Sequence, residues 1–241
     1  MINDEEYIRT LRTHTDAVAA AARGAPLGAT VPSCPEWTVY ELLAHLGRHH
    51  RWVAANLERA PADGPAPAAD RGAPPEGAAV VGWIEQGSAV LANRLLALDP
   101  TTACWTWSDD RTARFWARRT AHETAMHRWD LQAAVGAPEP FAPALAADAI
   151  DEYLSIIARI GASDGDGGTI HLHASDTEGE WLIRLDDAGM HLTREHAKGD
   201  VAVRGPASDL LLVVSGRRPT STVELFGDTA VFDRWRQATR F

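Results

Sequence analysis

The spacing of hydrophobic and polar positions changes once along the chain, from a helical period to an alternating one. In the first part, apolar residues recur every three to four positions over four segments of about twenty residues. Thr38, followed three residues later by Glu41, predicts a capping box at the start of the second segment. The spacing therefore predicts a four-helix bundle, with helices at residues 4–23, 38–59, 79–98 and 112–135.

The second part of the chain reads as an α+β domain. A helix is expected at 143–160, and a glycine-rich turn follows at 161–168. Short alternating runs separated by Gly and Asp then predict an antiparallel meander, with further helices against one face of the sheet. Strands are expected at 169–174, 180–185, 190–193, 200–204 and 222–226, and helices at 206–214 and 229–239. The predicted domains are 1–140 for the bundle and 141–241 for the α+β domain built on an antiparallel sheet.

Two segments of the first part lack a helical pattern. Residues 31–37 contain two prolines and predict an ordered loop. Residues 60–78 are almost all Ala, Pro, Gly and Asp, which predicts a flexible, solvated connection between helices.

Composition excludes several classes of function. The 241 residues carry a net charge of −10, which argues against a nucleic-acid-binding surface. No apolar run approaches the roughly 18–20 residues that span a bilayer, so no membrane association is expected. The acidic start of the chain does not resemble a signal peptide, and two cysteines are too few for a disulfide framework. We therefore expect a cytoplasmic protein.

The candidate chemistry lies in the fourth predicted helix. Glu123 and His127 are four residues apart, so a helix stacks them on one face, where a carboxylate and an imidazole can chelate a divalent metal. His122 and His127 are one residue too far apart for the HExxH pattern of zinc proteases, and a helix points them in different directions. A hydrogen bond between Glu123 and His127, or an arginine partner for Glu123, would also satisfy a buried carboxylate.

The metal would need a third ligand from another helix. His45 is the best candidate because it lies in the middle of the second helix beside Leu residues, and His49 competes with it one turn further on. Two His and one Glu form a known catalytic zinc set that keeps a position open for water or substrate. Asp130 either accepts a hydrogen bond from the second nitrogen of His127 or pairs with an arginine at the surface.

Four parts of the sequence together resemble a known family. They are the segment Val31–Val39 leading to His45; Phe115-Trp116 with Arg119; His122-Glu123 through Leu131; and a late group comprising 203–210, 215–217 and Gly227-Asp228. Together they are similar to the mycothiol-dependent maleylpyruvate isomerase family. In that family a DinB-like four-helix bundle precedes a small domain akin to sterol-carrier-type folds.

The resemblance implies a metal-dependent enzyme. The family's bundle metal, usually zinc, is held by positions that fall here on His45, Glu123 and His127. An arginine of the second domain lies near the substrate, and Arg217 is the closest match, although Arg218 follows directly. The resemblance also implies mycothiol as the thiol cosubstrate and a small, carboxylate-bearing electrophile that is isomerised or receives the sulfur. The Ala-, Arg- and Pro-rich composition fits an actinobacterial origin.

Two other functions are consistent with the same residues. A zinc hydrolase would activate water in place of a thiol. A non-catalytic module would bind a small ligand in its second domain and hold a structural metal, completed by His49, in the bundle. We expect a monomer or a small homo-oligomer.

Overall fold

The computed structural model of the chain describes residues 2–160 and 167–239. The chain divides into two compact units, of which the first covers residues 2–139 and the second begins at Pro140. In the described residues, no helix is both long enough and apolar enough to cross a membrane.

The first unit contains the four predicted helices within two or three residues of their expected ends. They are α1 (Asp4–Gly24), α2 (Val39–Asn56), α3 (Ala79–Ala97) and α4 (Ala113–Ala134). α1 packs against α3 and α4, and α2 packs against the same two helices. Most of the α4 side chains are buried, so a polar residue on this helix needs a partner inside the bundle.

The predicted capping box starts α2, and a short hairpin precedes it. The Thr38 hydroxyl accepts a hydrogen bond from the backbone of Glu41, and the Glu41 carboxylate accepts one from the backbone of Thr38. Before this cap, β1 (Thr30–Val31) and β2 (Cys34–Thr38) pair antiparallel. The two prolines predicted only an ordered loop there, because a hairpin depends on pairing between its strands, which the residue types alone do not reveal.

The connection between α2 and α3 is more ordered than predicted. A single 3-10 turn forms at Ala68–Arg71. The Trp52 indole donates a hydrogen bond to the carbonyl of Ala66 (3.0 Å), and the Ala66 amide donates to the Asn56 side chain (2.8 Å). Two polar groups of α2 therefore hold Ala66 against the bundle, whereas most of residues 60–78 are exposed, in line with the predicted solvated connection.

The second unit is an α+β fold. Its elements are α5 (Pro143–Ile160), β3 (Gly168–Ala174), β4 (Glu180–Asp186), β5 (Gly189–Thr193), β6 (Val201–Gly205), α6 (Ala207–Val214), β7 (Glu224–Gly227) and α7 (Thr229–Ala238). The sheet order is β5-β4-β3-β6-β7. Most of the glycine-rich turn predicted at 161–168 lies outside the described residues.

The sheet is mixed, which corrects the predicted simple meander. β3, β4 and β5 pair antiparallel in sequence order, but β6 pairs parallel to β3. The alternation of apolar residues is the same for either pairing direction, so the pattern could not decide it. The fold class itself is confirmed: a helical bundle followed by an α+β domain with a largely antiparallel sheet.

Alternation along the strands separates an apolar face from a polar face. Ile170, Leu172, Ile183 and Val203 belong to the face whose side chains are fully buried, and α5, α6 and α7 all contact the sheet. On that face the Trp181 indole donates to Asp151 of α5 (3.2 Å). The alternate positions of β3 carry the polar residues Thr169, His171 and His173.

Candidate metal centre

Two helices of the bundle bring the three predicted ligands together. Nε2 of His45, on α2, lies 2.9 Å from Oε1 of Glu123, on α4. Nε2 of His127, one turn further along α4, lies 3.3 Å from the same oxygen. All three donor atoms fall within 4.8 Å of one another. Ligands around a tetrahedral zinc are about 3.3–3.5 Å apart, so these side chains can enclose one ion with little movement.

Arg119 holds the second oxygen of Glu123. Its guanidinium lies one turn before Glu123 on α4 and donates to Oε2, leaving Oε1 to face the two histidines. Burial raises the pKa of Glu123, but Arg119, together with hydrogen bonds from His127 and His45, outweighs it and lowers the pKa well below its usual value. The carboxylate is therefore ionised, as a metal ligand must be. Both partners considered from the sequence, the histidine and an arginine, are present.

Asp130 contacts the far side of His127. Nδ1 of His127 donates to Oδ2 of Asp130 (2.9 Å), and the Ser33 hydroxyl donates to Oδ1 (2.5 Å). Burial lowers the pKa of His127, but the hydrogen bonds with Asp130 and Glu123 outweigh it and raise the pKa to about 9. An outer carboxylate of this kind fixes the ring and leaves Nε2 directed at the site. Asp130 therefore makes the contact expected of a hydrogen-bond acceptor for His127, the first of the two roles considered for it.

Solvent reaches the three donors from the side of His45. The side-chain exposure falls from 35% for His45 to 17% for Glu123 and 8% for His127. A cavity of about 460 Å³ opens at the His45 ring. Trp37 also lines this cavity, with its ring 4.7 Å from the His45 ring and 5.7 Å from the His127 ring.

The cavity is lined mainly by charged and aromatic side chains. Its wall includes Arg48, Arg71 and Trp52, and the Arg71 guanidinium lies over the Trp52 ring at 4.8 Å. Its volume falls within the range of about 300–1,000 Å³ that is typical of sites for small molecules. A small polar molecule could therefore enter next to His45.

Three other histidines of the bundle, among them the competing candidate His49, lie outside this group. Nε2 of His49 lies 3.4 Å from the Thr120 hydroxyl, and Nε2 of His50 lies 3.0 Å from the Thr124 hydroxyl. Burial lowers the pKa of His49 to about 4, and burial also lowers that of His14 to about 4. These rings are therefore neutral at pH 7, and none belongs to the group of three donors.

Arg217 lies in the second unit, in the turn after α6. Its guanidinium donates to the carbonyl of Ser215 (3.4 Å), and Gly216 has a positive φ of 76° that allows the turn. The neighbouring Arg218 forms an ion pair with Asp209 (2.5 Å). The role of Arg217 near a substrate stays a prediction.

Ser33 and Trp37 also contact this centre and were not predicted from the sequence. Both lie in the β1–β2 hairpin, 97 and 90 residues before the α4 side chains that they contact. A serine between two prolines, and a tryptophan just after them, are common in loops and do not by themselves indicate a metal site. Only the packing of the hairpin on α4 gives them a place beside the donors.

Comparisons with known proteins show which family models and solved structures the chain is similar to. Residues 8–132 match the family model described as the mycothiol maleylpyruvate isomerase N-terminal domain, and residues 144–234 match the MDMPI C-terminal domain. Two solved structures, the mycothiol-dependent maleylpyruvate isomerase and a mutant of it, are 16% and 15% identical to the chain. Each match covers 92% of both chains, with TM-scores of 0.65 and 0.63. A search of curated sequences finds no match.

The two family domains fall on the two units of the fold, and the similar structures share the order of bundle and α+β domain. The resemblance inferred from the sequence is confirmed. The chain belongs to the mycothiol-dependent maleylpyruvate isomerase family.

Proposed function

We propose that the chain is a metal-dependent enzyme that uses mycothiol to isomerise a small electrophile, or to transfer sulfur to it. One observation carries the proposal: in a member of this family, His45, Glu123 and His127 converge, and His45 also lines a cavity large enough for a small molecule. The donor set of two imidazoles and one carboxylate suits zinc.

Neighbouring residues orient the three donor atoms so that a divalent ion can bind between them. Arg119 and Asp130 hold Glu123 and His127 from behind, so that Oε1 and Nε2 point toward one place. A bound zinc ion supplies a Lewis acid that lets a coordinated thiol ionise near neutral pH. His49 bonds with Thr120, and its ring is 6.4 Å from that of His45, which supports three protein ligands and an open position.

The cavity beside His45 is the entrance proposed for the thiol. Trp37 lies beside the His45 ring on this side, and Arg48 and Arg71 offer hydrogen-bond donors along the wall. In the isomerase reaction the sulfur of mycothiol adds to an activated double bond, the resulting single bond rotates, and elimination returns the thiolate. In a transferase the carbon–sulfur bond stays in the product. Arg217 is proposed to bind the substrate carboxylate through its two-pronged guanidinium.

Cobalt-substituted protein tests whether a thiol reaches the metal. Mycothiol added to protein with cobalt in the bundle site should produce a sulfur-to-metal charge-transfer band, and the His45→Ala variant should not show it. An unchanged spectrum at saturating thiol would contradict the proposed thiol activation.

Product analysis separates this enzyme from a zinc hydrolase. Maleylpyruvate and a panel of other electrophiles should be converted only when mycothiol is present. Turnover that is independent of thiol, with incorporation of oxygen from water, would instead establish the hydrolase.

A further inference from the structure

A second group of metal-ligand side chains lies on the polar face of the sheet. His171 and His173 are two residues apart on β3, so both point to that face. Glu180 on β4 is the direct partner of His173 in the antiparallel register and shares the same face. His196, in the loop between β5 and β6, approaches the same place.

One carboxylate gathers the three imidazoles. Oε2 of Glu180 lies 3.2 Å from Nε2 of His171 and 2.6 Å from Nδ1 of His196, and Oε1 lies 3.0 Å from Nδ1 of His173. One donor atom from each of the four side chains lies within 4.8 Å of all the others. The rings of His171 and His196 meet edge to face at 5.3 Å.

The four residues do not share one degree of burial. His171 is buried, His173 and Glu180 are partly exposed, and the His196 side chain is 80% exposed. Burial raises the pKa of Glu180, but hydrogen bonds with His196 and His171 outweigh it and lower the pKa below its usual value. The Glu180 carboxylate is thus partly open to solvent, with three imidazoles around it.

We propose that His171, His173, Glu180 and His196 bind a divalent transition metal ion, zinc being the best fit, at a second site separate from the bundle centre. Three imidazoles and one carboxylate are ligands for zinc, copper, nickel or cobalt, whereas magnesium and calcium prefer oxygen-only sets. Tetrahedral zinc needs donor atoms about 3.3–3.5 Å apart. The 2.6 Å contact between Glu180 and His196 would therefore lengthen by about 0.7–0.9 Å, and the contacts of Glu180 with His171 and His173 by about half an ångström or less.

The ligand count assigns a structural role to this ion. Four protein ligands close a tetrahedral zinc shell, unlike the three at the bundle centre. His196 lies in a segment without regular structure, whereas the other three ligands lie on paired strands. The metal would therefore fasten this loop to the β3–β4 hairpin and stabilise the second unit.

The test uses untagged, full-length protein in which His45→Ala and His127→Ala remove the bundle site. Zinc titration by calorimetry should give one equivalent bound. Adding His196→Ala or His173→Ala should weaken zinc binding by at least the 10–100-fold seen when supporting residues of metal sites are lost. His196→Ala is the more informative variant because this exposed loop residue can change without disturbing the strands.

His191→Ala is the matched control. His191 lies on β5 of the same sheet, is exposed, and pairs with one carboxylate, that of Asp186, at 3.2 Å. This control should bind zinc as tightly as its parent protein. Zinc should also raise the thermal unfolding temperature of the parent and of His191→Ala, but not that of His196→Ala. No binding in the parent, or equal affinity with and without His196 and His173, would overturn the proposal.

Discussion

Glu123 of α4 and His45 of α2 meet at 2.9 Å, although 78 residues separate them in the chain. This contact links two helices of the bundle. His127, one turn after Glu123 on α4, lies close to the same carboxylate oxygen. Arg119 and Asp130 then hold Glu123 and His127 in place from the other side. The polar groups inside this part of the bundle thus form one connected set directed at one place.

Loss of either imidazole should remove the bundle metal. We expect His45→Ala and His127→Ala each to lose one metal equivalent relative to the parent protein, because two remaining ligands hold zinc weakly. Elemental analysis of purified, untagged protein measures this. The matched control is His49→Ala, one turn from His45, which should keep its metal. Full metal content in both ligand variants would show that the ion is not bound at this centre.

Asp130 should strengthen metal binding by orienting His127, without itself contacting the metal. In Asp130→Asn, His127 loses a charged hydrogen-bond acceptor, so zinc affinity should fall about 10–100-fold. Competition with a chromophoric chelator gives the affinity. Ser33→Ala removes only the hydrogen bond to Asp130 and should have a smaller effect. If Asp130→Asn bound zinc as tightly as the parent, the carboxylate would have no orienting role.

Arg217→Lys should weaken the binding of an acidic substrate more than the binding of a neutral one. Lysine cannot form the paired hydrogen bonds that a guanidinium makes with a carboxylate, and one such loss of about 1.4 kcal/mol is tenfold in affinity. The KM values of a carboxylate-bearing electrophile and of its neutral ester measure the difference. Arg218→Lys is the control, since Arg218 pairs with Asp209. Equal changes for both substrates in Arg217→Lys would point to a packing role.

His50 should make the bundle sensitive to acid. Burial, then the charges of His49 and Arg51, lowers the pKa of His50 to about 3 against a small opposing effect of Glu123. Unfolded His50 titrates near 6.5, so between pH 6.5 and 3 the unfolded state binds the extra proton. The stability that neutral His50 contributes is therefore complete above pH 6.5 and is lost progressively as the pH falls toward 3.

Urea unfolding of metal-free protein between pH 7 and pH 4 measures this contribution. The free energy of unfolding should fall less steeply with decreasing pH in His50→Gln than in the parent protein. His191→Gln, at an exposed position, should leave the slope unchanged. Identical slopes for His50→Gln and the parent would contradict the effect of burial.

The sequence was informative wherever its evidence was local. The period of the apolar residues predicted the four helices of the bundle, and the Thr38–Glu41 pair predicted the start of α2. The spacing of Glu123 and His127 placed both on one face of α4, because helical geometry alone fixes that relationship. The family resemblance, carried by short motifs spread over both domains, selected His45 over His49.

Only the tertiary structure decided relationships between distant segments. Alternation along β3 and β6 is the same for parallel and antiparallel pairing, so the mixed sheet could not be predicted from it. The contacts of Ser33 with Asp130 and of Glu180 with His196 could not be predicted from spacing either. The alternating histidines at 171 and 173 were the one local signal of the second cluster. A chain determines its local geometry through backbone sterics and burial, whereas contacts between distant side chains depend on how the whole core packs.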